Sequence, residues 1–258
     1  MKENSLESVF LAASGIYMII IGLKGFIDIF DSIVLLAMFI IYLFLVTRLP
    51  PEIELEKPHG LAGKFLGRKK LSAITIILSD LLVFIPADFF AEALIDLASE
   101  TLLVTELFLV AIIAPLVSEM PEKLTAYIGA TKSEDMARLG IANFMSSRIN
   151  NGTLLISSMF LVALLSGHIS WREVMPIGST VICSLLVLAG LLSIIGALTT
   201  IDRRITIHEA FGLLVIYALS IFALEDVMYI TPILIILGVI VFYILAIAIK
   251  DRRFYWLD

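Results

Sequence analysis

Long uncharged apolar runs constrain this chain more than any other feature of its sequence. Val174–Ile201 and Val227–Ile249 carry no charged side chain, and Ser8–Leu23 and Ser32–Thr47 are nearly as long. Uncharged stretches of about 18 residues or more read as bilayer-spanning helices, because only a helix satisfies its backbone groups internally in lipid. The composition agrees: 60% of residues are hydrophobic and 16% charged, where a soluble domain carries about 25% charged residues. Eight spans are predicted, over 8–27, 31–48, 72–97, 102–128, 138–165, 174–199, 206–224 and 229–249. The first is too long for the apolar core of a signal peptide and lacks a clear small-residue cleavage site, so it is read as a retained helix. The single cysteine, Cys183, lies in an apolar run, which excludes a disulfide framework and a Cys-based metal site.

Charge sidedness gives the orientation. Lys2, Arg48, Lys57, Lys64, Arg68, Lys69, Lys70, Lys132, Arg138, Arg203, Arg204, Lys250, Arg252 and Arg253 collect on one side, whereas Asp28, Asp31, Glu100, Glu225 and Asp226 mark the other, with Arg172. The positive-inside rule then puts both termini and the linker 49–71 in the cytoplasm, with a prokaryotic-type plasma membrane as the expected location. That linker is basic and holds Pro50, Pro51, Pro58, Gly60 and Gly63.

Two segments resemble each other at an offset of 178: Ile27-Asp28-Ile29-Phe30-Asp31 with Leu35-Leu36, and Ile205-Thr206-Ile207-His208-Glu209 with Leu213-Leu214. The two enter their helices from opposite sides, the relation of inverted repeats in secondary transporters. On that reading 1–48 is the end of a first repeat, 72–224 a complete five-helix second repeat, and 225–258 an extra helix with a basic tail. The first three spans of the first repeat are then expected upstream of Met1. The expected fold is thus all-α: a polytopic bundle of inverted-repeat antiporter type with an incomplete first repeat.

Polar residues concentrate in 111–156. Pro115 and Pro121 remove backbone donors and open the helix around Ser118, Glu119 and Glu122. Ser118 and Glu122 lie at i, i+4 on one face with Glu119 beside them. Ionised carboxylates at that depth are costly unless paired or hydrated, so they mark cavities or ion paths. A carboxylate, hydroxyl and carbonyl donor set suits Na⁺ or Ca²⁺ and does not suit transition metals. On the next helix Asn143, Ser147 and Asn151 form a stripe at i, i+4, i+8, which also suits interhelical packing. Arg148 keeps its proton, so it needs water or a carboxylate, with Glu119 and Glu122 the obvious partners.

At these residues the chain resembles the cation/Ca²⁺ exchanger superfamily, which includes the sodium/calcium exchangers. Ser118-Glu119-Met120-Pro121-Glu122 stands where that family has G-T-S-x-P-E, and Ala142–Asn151 where it has G-N-x-x-G-S-N-x-x-N. The resemblance covers 72–224 well and 8–48 weakly. It implies that Glu122 is the main cation ligand, with Ser118 at the family's Thr, Ser147 at its Ser and Asn151 at its final amide or acid. Glu119 adds a carboxylate where the family has Ser, Arg148 adds a positive charge where it has Asn, and Pro115 replaces a small residue that donates a carbonyl. The two added charges either cancel, or the guanidinium fills a cation position. The family's second Glu belongs to the first repeat; Pro51-Glu52 is the only other P-E pair, and it lies in the cytoplasmic linker.

The expected function is therefore secondary cation antiport, Na⁺/Ca²⁺ or cation/H⁺, by alternating access. The missing repeat is expected from a second polypeptide, from a second copy of this chain as a homodimer, or from an upstream region lost from this reading frame. The competing reading is a scaffold or regulatory subunit that keeps the fold without transport. No enzyme is expected, because no paired Asp, Ser–Lys or His–Glu metal arrangement occurs. No cofactor is expected beyond the transported Na⁺, Ca²⁺ or H⁺, and the partner surface is lipid, not nucleic acid. Asp88, Glu92 and Asp96 form an acidic stripe that reads as an outer vestibule or as a water-exposed helix end, and His168 and His208 as loop and interface residues.

Overall fold

The computed structural model describes residues 3–49, 119–200, 207–222 and 227–250, with single helical positions between 74 and 96. The chain divides into two compact units, 1–50 with 121–258, and 51–120. In the second unit Ile74, Leu78, Leu82, Phe89, Ala93 and Asp96 are helical and exposed.

In the first unit the elements run α1 (Glu3–Lys24), β1 (Phe26–Ile27), α2 (Ile29–Val46), α3 (Met120–Lys132), α4 (Glu134–Asn150), a π-helical segment (Asn151–Leu155) and α5 (Ile156–Leu165). They continue with β2 (Met175–Pro176), α6 (Thr180–Thr200), α7 (Ile207–Phe222) and α8 (Val227–Lys250). Four helical stretches among the described residues are long and apolar enough to cross a membrane: Leu6–Lys24, Ile29–Val46, Glu134–Leu165 and Thr180–Thr200. They coincide with predicted spans, as do α7 and α8 in place. Span 72–97 and residues 102–118 of the next lie outside the described residues, apart from the single positions above. The predicted end at 128 gives way to a helix that runs on to Lys132.

The first loop shows how the chain turns at a membrane boundary. Gly25, at φ 78°, ends α1 with its N–H on the Ile21 carbonyl (2.9 Å), a conformation glycine adopts without a Cβ penalty. Asp28 then caps α2: its Oδ1 accepts from the Asp31 N–H (2.9 Å), and Asp31 Oδ2 accepts from the Asp28 N–H (3.0 Å). This reciprocal capping box satisfies two amides that the helix start leaves open. Between cap and helix, Phe26 and Ile27 pair antiparallel with Pro176 and Met175. The α1–α2 and α5–α6 loops therefore lie at the same end of the bundle.

Helix α1 is the centre of this unit. Half of its spanning window is buried, against 22% for α2 and α6. It crosses α6 antiparallel with glycine facing glycine: a Cβ on Gly15 would meet the Gly190 carbonyl oxygen at 2.7 Å, and one on Gly190 would meet that of Gly15 at 2.5 Å. One end further on, a Cβ on Gly22 would meet the Cys183 carbonyl at 2.8 Å, and at the other end Ser8 Oγ lies 3.2 Å from Thr200 Oγ1. Lipid tails give apolar helices no reason to associate, so such close backbone approach supplies the packing energy. Leu6, Leu11, Tyr42, Met145, Ile149 and Ala197 join α1 to α2, α4 and α6 in one buried cluster.

Candidate cation site

Helices α3 and α4 form a hairpin closed by one residue. Ser133 caps α4, accepting from the Met136 N–H at 3.2 Å. Two glycines let the arms touch: a Cβ on Gly129 would meet the Met136 carbonyl at 2.7 Å, and one on Gly140 would meet Ala126 Cα at 2.6 Å. These contacts fix an antiparallel register, residue numbers of facing positions summing to 265 and 266 (129 + 136 and 126 + 140). Extended on ideal straight helices, that register would set Glu122 level with Asn143 and Phe144. At 1.5 Å per residue, Ser147 is about one turn further along α4 and Asn151 about two.

Pro121 stands in the first turn of α3, where its missing N–H would have had no helical partner. Glu119 lies in the turn just before the helix and Glu122 in its first turn, so both carboxylates sit at the positive end of the helix dipole. Glu122 is half-buried, and its Oε2 is fully buried with no hydrogen-bond partner among the described residues. A buried carboxylate oxygen left unsatisfied is costly, and a hard cation is one group that satisfies it.

On α4, Met145 and Ile149 are buried in the cluster shared with α1 and α2, whereas Gly140 is buried against Ala126 of α3. Asn143 is exposed, and Ser147, Arg148 and Asn151 are half-buried. The polar stripe thus lies on the side of α4 away from Met145 and Ile149. At Asn151 the helix widens into the π segment Asn151–Leu155, and such bulges occur often at functional sites. Thr153 Oγ1, fully buried, donates to the Ile149 carbonyl at 2.6 Å. Gly152 is pressed on α1, where a Cβ would meet Met18 Sδ at 3.1 Å and Ser14 Oγ at 3.5 Å. Ser118, Pro115, Asp88 and Glu92 lie outside the described residues. Asp96 is helical and exposed.

Two polar clusters escaped the sequence reading. At the end of α1 nearest β1, Lys24 Nζ lies 2.6 Å from Asp28 Oδ2 and 2.6 Å from Asp31 Oδ2, and the Tyr17 hydroxyl donates to Asp31 Oδ1 at 3.1 Å. Burial tends to raise the Asp28 carboxyl, but the Lys24 ammonium and the Asp31 and Phe30 amides outweigh it and hold it below its ordinary value. At the opposite end, Glu7 is 2% exposed. Ser146 Oγ donates to Glu7 Oε1 at 3.4 Å and lies 2.5 Å from the Tyr42 hydroxyl. Its one signal in the sequence is an acid at the start of an apolar run. Among the described residues no three His, Cys, Asp or Glu side chains converge, so a cation here would draw on hydroxyl, amide and carbonyl oxygens besides Glu122.

Comparison with known proteins bears on these residues directly. The family model for the sodium/calcium exchanger protein matches residues 71–224. The fold is similar to the crystal structure of the H⁺/Ca²⁺ exchanger CAX, with a TM-score of 0.72 and 25% identity over 98% of this chain and 64% of that one. No curated protein matches. The chain spans 64% of the length of that solved exchanger.

Proposed function

The chain belongs to the sodium/calcium exchanger family, an integral membrane family of cation antiporters, and from that premise we propose that it exchanges Ca²⁺ for H⁺ or Na⁺ across its membrane. The observation that carries the reading is Glu122. It lies within the family-matched residues, at a helix start opened by Pro121, with one buried oxygen lacking a partner among the described residues. Glu119, Ser118, Ser147 and Asn151 complete the proposed ligand set, Asn143 and Arg148 tune it, and the cation is substrate, not cofactor.

The proposed mechanism is alternating access. Bare Glu122 is unstable while water is excluded, so the carrier reorients with a cation or a proton bound there, and binding of one releases the other. The chain covers 64% of the solved exchanger, and in this reading the helices that would complete a two-repeat site come from an upstream region, from a second polypeptide or from a second copy of this chain. The basic residues favour an orientation with both termini in the cytoplasm, which would put the Lys24–Asp28–Asp31 cluster on the outer side. The test is uptake of radiolabelled Ca²⁺ into proteoliposomes under a pH or Na⁺ gradient. Wild-type protein drives uptake and Glu122→Gln lowers it to the level of empty vesicles. Flux indifferent to Glu122 contradicts the assignment, and no flux in either favours a non-transporting scaffold with the exchanger fold.

A further inference from the structure

Glu7 is a carboxylate that the proposed site does not use, and it is more deeply buried than Glu119, Glu122, Ser147 or Asn151. It lies within the first spanning helix and is 2% exposed. Leu6, Leu11, Met145 and Ile149 surround its turn of α1. An ionisable side chain kept in such a place marks function more often than packing.

Its hydrogen bonds form a chain across three helices: Tyr42 on α2, Ser146 on α4 and Glu7 on α1. Ser146 donates to the carboxylate, and the Tyr42 and Ser146 hydroxyls can each donate to the other. Hydroxyls both donate and accept, so the chain has two polarities. With Glu7 ionised, Tyr42 donates to Ser146 and Ser146 to Glu7. With Glu7 protonated, the carboxylic O–H donates to Ser146 Oγ, and Ser146 turns its hydrogen to Tyr42. One proton enters from water, no other bond changes, and the chain reverses.

We propose that Glu7 is a proton-binding site, distinct from the Glu122 cation site, whose occupancy is passed to α4 through Ser146. The charged groups on the elements packed against this part of α1 are Glu134, Asp135, Arg138 and Arg148 on α4, with Arg138 paired to Glu134 at 2.6 Å, and Asp31 on α2, with Arg48 just past α2. Asp31 is held by Lys24 at the far end of the helix pair. Helix α6 contributes no charged side chain. Ser146 precedes Ser147 of the polar stripe, so a change of charge at Glu7 is felt at the back of the helix whose front bears the stripe. This inference goes beyond the antiport reading and holds whether or not the chain transports.

The test is infrared difference spectroscopy of the full chain in lipid nanodiscs across a pH titration, which needs no flux. The expected result is a protonated-carboxyl band that grows on acidification and is lost in Glu7→Gln. In Ser146→Ala the midpoint rises by about one pH unit, because the donor that favours the ionised form is gone. A titrating band that survives unchanged in Glu7→Gln overturns the proposal, as does a spectrum with no titrating buried carboxyl. Should Glu7→Gln fail to fold, Ser146→Ala decides alone: a raised midpoint supports the site and an unmoved one overturns it.

Discussion

Glu122 and Asp28 illustrate two opposite fates of a carboxylate beside a membrane. Asp28 has partners for its charge: the Lys24 ammonium at 2.6 Å and the helix-start amides of α2. Its carboxyl is held below its ordinary value, so the stability it contributes is fully present above the unfolded value near pH 4 and is lost as pH falls through the lower folded value. Acid titration of unfolding should therefore show wild-type protein losing stability below about pH 4 more steeply than Asp28→Asn. Equal slopes would mean that the Lys24 pairing contributes nothing. Glu122 has one buried oxygen with no such partner among the described residues, which is why flux, not stability, is the property expected to fail in Glu122→Gln.

Among the elements, the α1–α6 crossing is the contact least tolerant of change. Gly190→Val places side-chain carbons against the backbone oxygen of Gly15, 2.5 Å from the new Cβ, and the helices must separate along their length. A loss of about 3 kcal/mol is expected in detergent-titrated unfolding, at the upper end for overpacking. A Gly212→Ala control inside α7, where a Cβ meets nothing within 4 Å, should cost no stability and gain up to about 1 kcal/mol. Equal stability of Gly190→Val and wild type would show that the two helices do not approach as described. The helices themselves were legible in the sequence, because period and length suffice for an uncharged 20-residue run in lipid. Their partners were not, since Gly15 and Gly190 are 175 residues apart (190 − 15) and nothing local marks which glycine faces which.

The repeat motif shows the same boundary between local and tertiary information. Shifting α1 and α2 by 178 gives 181–202 and 207–224, within two residues of the ends of α6 and α7. The shared I-x-I-x-acid pattern has a local cause as well: Asp28 and Asp31 form a capping box, and Thr206 and Glu209 have the spacing for one. Likewise Pro121 and the Ser118–Glu122 spacing pointed to the start of α3 as a site. Glu7 was overlooked because its burial comes from α2 and α4, which meet it only in the folded bundle.

For the whole molecule, the proposed cation site on Glu122 begins α3, and α1 packs behind α4. If a partner completes the site, native mass measurement of the purified complex should exceed one 28.5 kDa chain; a strictly monomeric active protein would remove that requirement. The most direct test of the central claim is cation binding itself. A ligand that binds only the folded state stabilises it in proportion to the logarithm of its concentration. Unfolding of wild-type protein in nanodiscs should therefore be postponed progressively by millimolar Ca²⁺, with the effect lost in Glu122→Gln while the variant remains folded. Stabilisation by Ca²⁺ that is the same in wild type and Glu122→Gln would contradict the site.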